Sequence, residues 1–150
     1  MFASVLPADA PDIQYHVMAD WQLGVRFGVE APLSARLSAR ADLGISMFGL
    51  ITGDALLGVA LVEPSGPAAV LLLLGVPNAG APVTFAGAMM SVGGTIQPSV
   101  RVGERCRLGL RIGAGFPFFF EANRPVVRET NLPLGLWPDA GIDVAWRPSG

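Results

Sequence analysis

Lysine is absent from this chain, and cysteine and histidine each occur once. All ten basic side chains are arginines, and with twelve acidic residues the net charge is −2, so no basic excess exists to draw a nucleic acid. Cys106, being alone, can form neither an internal disulfide nor a thiolate zinc site, and reads as a small hydrophobe on the apolar face of its strand. One histidine and scattered carboxylates offer no metal-ligand spacing, and no cofactor is expected. Charge of either sign is scarce, 15% of residues against roughly 25% in soluble domains. Yet no uncharged apolar run reaches about 18 residues, which excludes a helical membrane span. The greasiest region, 50–76, is interrupted by Asp54, Glu63, Pro64 and Pro67. The first eleven residues hold no basic side chain, so no export signal with a positive start is legible there.

What the chain does have is alternation. Ile13, Tyr15, Val17, Ala19, Trp21, Leu23, Val25, Phe27 and Val29 are apolar, while the even positions between them are mostly polar or glycine. Side chains of an extended strand alternate between faces, so 13–29 reads as one long strand with an oily face. Ordinary strands have about 5–6 residues, whereas a tilted strand in a membrane barrel needs about 9–11. The rhythm continues at 33–47, again with odd positions apolar, and a three-residue turn at 30–32 keeps odd opposite odd. That register sets Arg26 opposite Arg36.

Segments 55–62 and 68–76 read as a shorter hairpin around 63–67. From 86 to 102 the oily phase has moved to even numbers, and a turn at 103–105 sets Val102 opposite Cys106 and Arg101 opposite Arg107. A further strand follows to about 120, then a polar segment at 122–131, then a last alternating stretch from 132 to 146. Connections 48–54, 77–82 and 122–131 read as longer loops facing the tight turns. The fold expected is therefore all-β, an antiparallel up-and-down transmembrane β-barrel with seven strands seen of eight. We expect the first strand and a signal peptide to be missing upstream. The expected organisation is an N-terminal segment 1–12, a barrel domain 13–147 and a tail 148–150.

The polar face is glycine, serine and arginine rather than the lysine and glutamate of a wet exterior, so it is assigned to the lumen. Its expected charge network is Asp20, Arg26, Arg36, Arg40, Asp42, Arg101, Arg107 and Arg111, with Asp143 and Arg147 beside them. An ion-pair filling is the first reading, and an Arg-lined constriction for small anions the second. Tyr15, Trp21, Phe27, Phe116, Phe118 and Trp146 are expected at the lipid interfaces. On a single strand, Tyr15 and Phe27 would stand about 30 Å apart, near the spacing of two aromatic girdles. His16, for which Ser46 is the candidate neighbour, has no nucleophile motif beside it, so no enzyme activity is expected.

On the last strand, Asp139, Gly141, Val144 and Trp146 form a polar residue, a glycine two later, and hydrophobic residues five and seven later. This resembles the C-terminal assembly signal of outer-membrane β-barrel proteins, although Arg147 to Gly150 follow the aromatic residue. By pattern, the stretch 13–146 is similar to small OmpA-, OmpX- or OmpW-like barrels. The resemblance implies an integral outer-membrane protein of structural, adhesive or small-solute-passage role. Its implied partners are outer-membrane lipid and the barrel-assembly machinery; the polar loop 122–131 is the candidate surface for an external ligand, since exposed loops commonly carry binding function. The alternative is a soluble β-barrel or sandwich that binds an apolar small ligand.

Overall fold

The computed structural model describes residues 13–20, 24–47, 49–82, 87–121, 124–126 and 136–148. The expected segment 1–12, most of loop 122–131 and Trp21 lie outside them. The described strands are β1 (Gln14–Asp20), β2 (Gly24–Pro32), β3 (Leu37–Ser46), β4 (Leu50–Val62), β5 (Ala68–Pro82), β6 (Gly87–Val102), β7 (Cys106–Glu121), β8 (Arg124–Val126) and β9 (Trp137–Trp146). Each of β1 to β7 pairs antiparallel with the next in sequence, β7 pairs with β9, and β9 pairs with β1. The sheet thus closes on itself as an eight-stranded up-and-down barrel. Strands β8 and β9 together make the eighth stave, because β8 meets β7 at Phe119–Glu121 and β9 meets it from Cys106 to Gly115.

The alternation is carried out strand by strand. Val25, Phe27 and Val29 of β2 are exposed while Arg26 and Glu30 are buried; Leu43 and Ile45 of β3 are exposed while Arg40, Asp42 and Ser46 are buried. On β7, Leu108, Leu110 and Ile112 point outward and Arg111 inward. Apolar side chains coat the barrel, and mostly charged and hydroxyl side chains fill it, with Met18, Leu56 and Leu73 the large apolar ones inside.

The single strand expected at 13–29 is instead two, and this corrects the strand count. The chain reverses between Asp20 and Gly24, pairing Ala19 with Val25 and Tyr15 with Val29. The ladder pairs odd residues with odd ones, so the oily rhythm carries from β1 to β2 unbroken. The strand missing from the expected count is β1, which itself closes the barrel against β9. The same geometry removes the 30 Å spacing: Phe27 lies opposite Val17, one pleat from Tyr15.

Strand β2 also runs through the expected turn at 30–32. Its ladder to β3 pairs Pro32 with Ser38, and the turn falls at 33–36, where Leu33 N donates to Leu37 O at 2.8 Å. Arg26 consequently faces Gly44, not Arg36. Expected loops 48–54 and 77–82 are largely strand, since β4 begins at Leu50 and β5 continues to Pro82. Turns 63–67 and 103–105 fall as expected, with Arg101 opposite Arg107. The shift of oily phase has a local cause: the β4–β5 register slips between Ala60 and Val62, so that from Ala60 back to Ala55 even residues of β4 oppose odd residues of β5, until a second slip between Gly53 and Ala55.

Candidate functional site

The interior holds three buried guanidiniums (Arg26, Arg40, Arg111) and six buried carboxylates (Asp20, Glu30, Asp42, Asp54, Asp139, Asp143). They form two linked clusters. In the first, Arg26 Nε donates to Asp20 Oδ2 at 2.8 Å and its Nη1 to Asp54 Oδ1. Arg111, reaching in from β7, donates from Nε to Asp139 Oδ2 and from Nη1 to Asp54 Oδ2, both at 2.6 Å. Both guanidiniums also donate to the carbonyl of Pro77, at 3.2 and 3.1 Å. Pro77 sits where the β5–β6 register slips between Gly75 and Asn78, and Gly75 adopts φ +142°. A bulge frees a backbone carbonyl from the ladder, and here that carbonyl turns to the arginines.

In the second cluster Arg40 grips Asp143 with two nitrogens, Nη1 at 3.2 Å and Nη2 at 2.9 Å, and donates from Nε to Asp42 at 2.7 Å. Gln97 donates to the same Asp143 at 2.7 Å. His16 stands between two acids, with Nδ1 3.0 Å from Asp143 and Nε2 3.2 Å from Glu30. Asp42 joins the clusters, lying 3.8 Å from Arg111 Nη1. Burying ions costs several kcal/mol each, and it is tolerated where each charge finds opposite charge and hydrogen bonds.

Glycines give these side chains their room. A Cβ on Gly28 would lie 1.6 Å from Asp42 Oδ1, and one on Gly44 would lie 2.7 Å from the Arg26 Cα. A glycine face beside long arginines is what a narrow eight-stranded interior needs.

Of the eight expected network charges, Asp20, Arg26, Arg40, Asp42 and Arg111 are in the interior. Three are not. Arg36 is 70% exposed and pairs with Glu63 at 3.5 Å, Arg101 is exposed, and Arg107 is half-buried at the mouth. The reason is position along the strand: all three lie within two residues of a turn, at the end of the barrel where 33–36, 63–67 and 103–105 gather. Arg147 lies just beyond β9 at that same end. The interior carries more carboxylates than guanidiniums, which fits the ion-pair filling and weighs against an Arg-lined constriction.

Glu30, Asp54, Asp139, Asp143, Gln97 and Pro77 complete the site. By sequence Glu30, Asp54 and Pro77 read as turn or loop residues, and Asp139 as part of the assembly pattern alone. Asp54 had a legible signal, being a lone acid in the greasiest stretch and in phase with inward Thr52 and Leu56. His16 has carboxylates, not Ser46, at both ring nitrogens; Ser46 pairs with Gly24, farther along the barrel.

The expected assembly residues lie on the closing strand. Asp139 pairs with Arg111, Gly141 opposes both Asp20 and Arg111, and Val144 faces outward. Trp146 stacks on Tyr15 across the β1–β9 ladder, ring centroids 5.9 Å apart. Phe27 and Phe116 are exposed and Phe118 half-buried. Phe116 lies ten residues along β7 from Cys106, the partner of Trp146. On a strand tilted roughly 40° that separation spans about 25 Å, the height of the apolar band of a membrane barrel.

Comparison with protein-family models, curated proteins and solved structures gives no match for this chain. What fold and interior define is a class by construction: a closed eight-stranded antiparallel barrel, apolar outside, with a buried ion-pair network inside.

Proposed function

We propose that this chain is an integral outer-membrane β-barrel whose filled interior serves a structural or adhesive role, without catalytic activity. The observation that carries this reading is the inverted distribution of side chains. Phe27, Leu43, Ile45, Leu110, Ile112 and Phe116 are exposed on the outer wall, while Arg26, Asp54 and Arg111 are buried. In water such a wall would be a continuous apolar surface far larger than monomers tolerate, whereas hydrocarbon favours it. Two further observations agree. Tyr15 pairs with Trp146, so both ends of the barrel's chain lie at the end that carries the tight turns, as in bacterial outer-membrane barrels. The Tyr15–Trp146 stack and Phe116 are separated by about the height of a lipid band.

Small-solute passage is disfavoured by the ion-pair clusters, which link β2, β3, β4, β7 and β9 across the lumen. A soluble barrel for an apolar ligand would need an apolar cavity, and the described interior is dominated by ions and hydroxyls, with Met18, Leu56 and Leu73 the large apolar side chains buried among them. The test is extraction of the expressed protein. The membrane barrel requires detergent and migrates faster on a gel unheated than boiled. Recovery in buffer alone, with no heat-dependent shift, would overturn the reading.

A further inference from the structure

The barrel's charge is unevenly distributed. Acids exceed guanidiniums inside, but the end bearing turns 33–36, 63–67 and 103–105 carries Arg36, Arg101, Arg105, Arg107 and Arg147 against Glu63 and Glu104. Arg101 and Arg107 are direct partners across the β6–β7 ladder, an arrangement in which like charges repel. Their contacts leave that charge uncancelled. Arg101 Nη2 donates to Ser65 O at 3.0 Å, and Arg107 Nη2 donates to Gly66 O at 2.6 Å and to Pro64 O. These are neutral carbonyls of turn 63–67, and among the described residues neither arginine has a carboxylate within 4.0 Å. Arg107 Nη1 is buried with no hydrogen-bond partner.

The same arginines wall open space. A cavity of about 330 Å³ is lined by Arg36, Arg101 and Arg147 together with Gln14 and Ser65, and by two acids, Glu30 and Glu63. Beside it, a cavity of about 40 Å³ is lined by Arg101, Arg105, Arg107 and Arg147, with Glu104 the single acid. Guanidinium forks match oxyanions bidentately, and a site with four of them offers more donors than the two oxygens of a carboxylate can use. A phosphate group has the oxygens and the charge to engage them.

We propose that this arginine-walled mouth binds a phosphate group, carried on a phospholipid headgroup or on a small soluble phosphate. The phosphate sits in the smaller cavity between Arg101, Arg107 and Arg147, and the larger cavity takes what is attached to it. Turn 63–67 holds Arg101 and Arg107 in place through its carbonyls, so the site is set before the anion arrives.

The experiment is calorimetric titration of the purified barrel in dodecyl maltoside with inorganic phosphate, glycerol 3-phosphate and dihexanoyl phosphatidylglycerol. Saturable binding is expected in at least one arm, weakened tenfold or more in the R101Q/R147Q variant. Binding of the soluble phosphates assigns the source as a free anion, and binding of the lipid alone assigns it as a headgroup. No saturable binding in any arm, or equal binding by a folded R101Q/R147Q variant, overturns the proposal. Should that variant misfold, phenylglyoxal labelling of the unaltered protein decides. The bound probe is expected to shield Arg101 and Arg147 at least threefold in peptide mass maps, and no shielding rejects the site. Binding is read in micelles and stands apart from the membrane assignment, which is read from partitioning.

Discussion

Asp42 and Asp54 stand directly opposite each other across the β3–β4 ladder, both buried, and Arg111 reaches from β7 to within 3.8 Å of the first and 2.6 Å of the second. Like charges so placed repel strongly where water is excluded. Since β7 lies across the barrel from β3, the guanidinium that relieves this repulsion also ties opposite walls together.

Removing Arg111 should therefore cost more than any single carboxylate. Arg111→Met leaves Asp54 and Asp139 without their shared cation, and a loss of about 3–5 kcal/mol is expected for breaking a buried ion pair from one side. Urea unfolding in lipid vesicles measures it. Adding Asp139→Asn to the same chain should restore part of the loss, because one stranded charge is then gone.

The outer wall gives a test that separates hydrocarbon from water. Ile112 is 56% exposed and lies between the levels of Cys106 and Phe116 on β7. Ile112→Arg should cost about 2–4 kcal/mol when the barrel folds into vesicles, the cost of arginine near a bilayer midplane. On a water-facing wall the same substitution would be close to neutral, and that outcome would reject the membrane reading.

Close strand approach gives a third. A Cβ at position 44 would lie 2.1 Å from the Val25 carbonyl oxygen and 2.7 Å from the Arg26 Cα, both backbone atoms that cannot step aside alone. Gly44→Ala should destabilise by about 1–3 kcal/mol through overpacking. At Gly49, where an added Cβ meets nothing within 4 Å but φ is +72°, alanine should cost less, about 1 kcal/mol.

The interior gives a fourth. In planar bilayers the unaltered protein should show no conductance steps, because Arg40, Asp143, Gln97 and His16 are bonded across the lumen. Arg40→Ser combined with Asp143→Ser removes a matched pair and opens room for water, so small steps should appear. Steps of equal size in both proteins would show that the network is no barrier.

Much of this is legible in the sequence, and the misses fall where strand pairing and height in the barrel decide. The outward placement of Phe27, Leu43 and Leu110, and the burial of Arg26, Arg40 and Arg111, follow from the two-residue rhythm. The pairing of β1 with β2 inside 13–29 was not legible, because a ladder that sets odd residues opposite odd ones leaves the rhythm intact. Asp54 and Pro77 were missed because glycine and proline nearby mark loops as readily as bulges, and here the ladder absorbs them. Arg36, Arg101 and Arg107 share the lumen phase of Arg40 and Arg111 on their own strands, and only their height in the barrel sets them at the mouth.

Taken alone, the amino-acid order decides which side of each strand is oily, because successive side chains of an extended backbone point to opposite faces whatever the strand is paired with. It also decides that the chain is built of strands. The number of staves, the register and the ion-pair partners belong to the tertiary structure. Pairing parity is blind to where an odd-length reversal falls, and only closure of β1 on β9 brings Arg40 to Asp143 and Arg111 to Asp54, groups far apart along the chain.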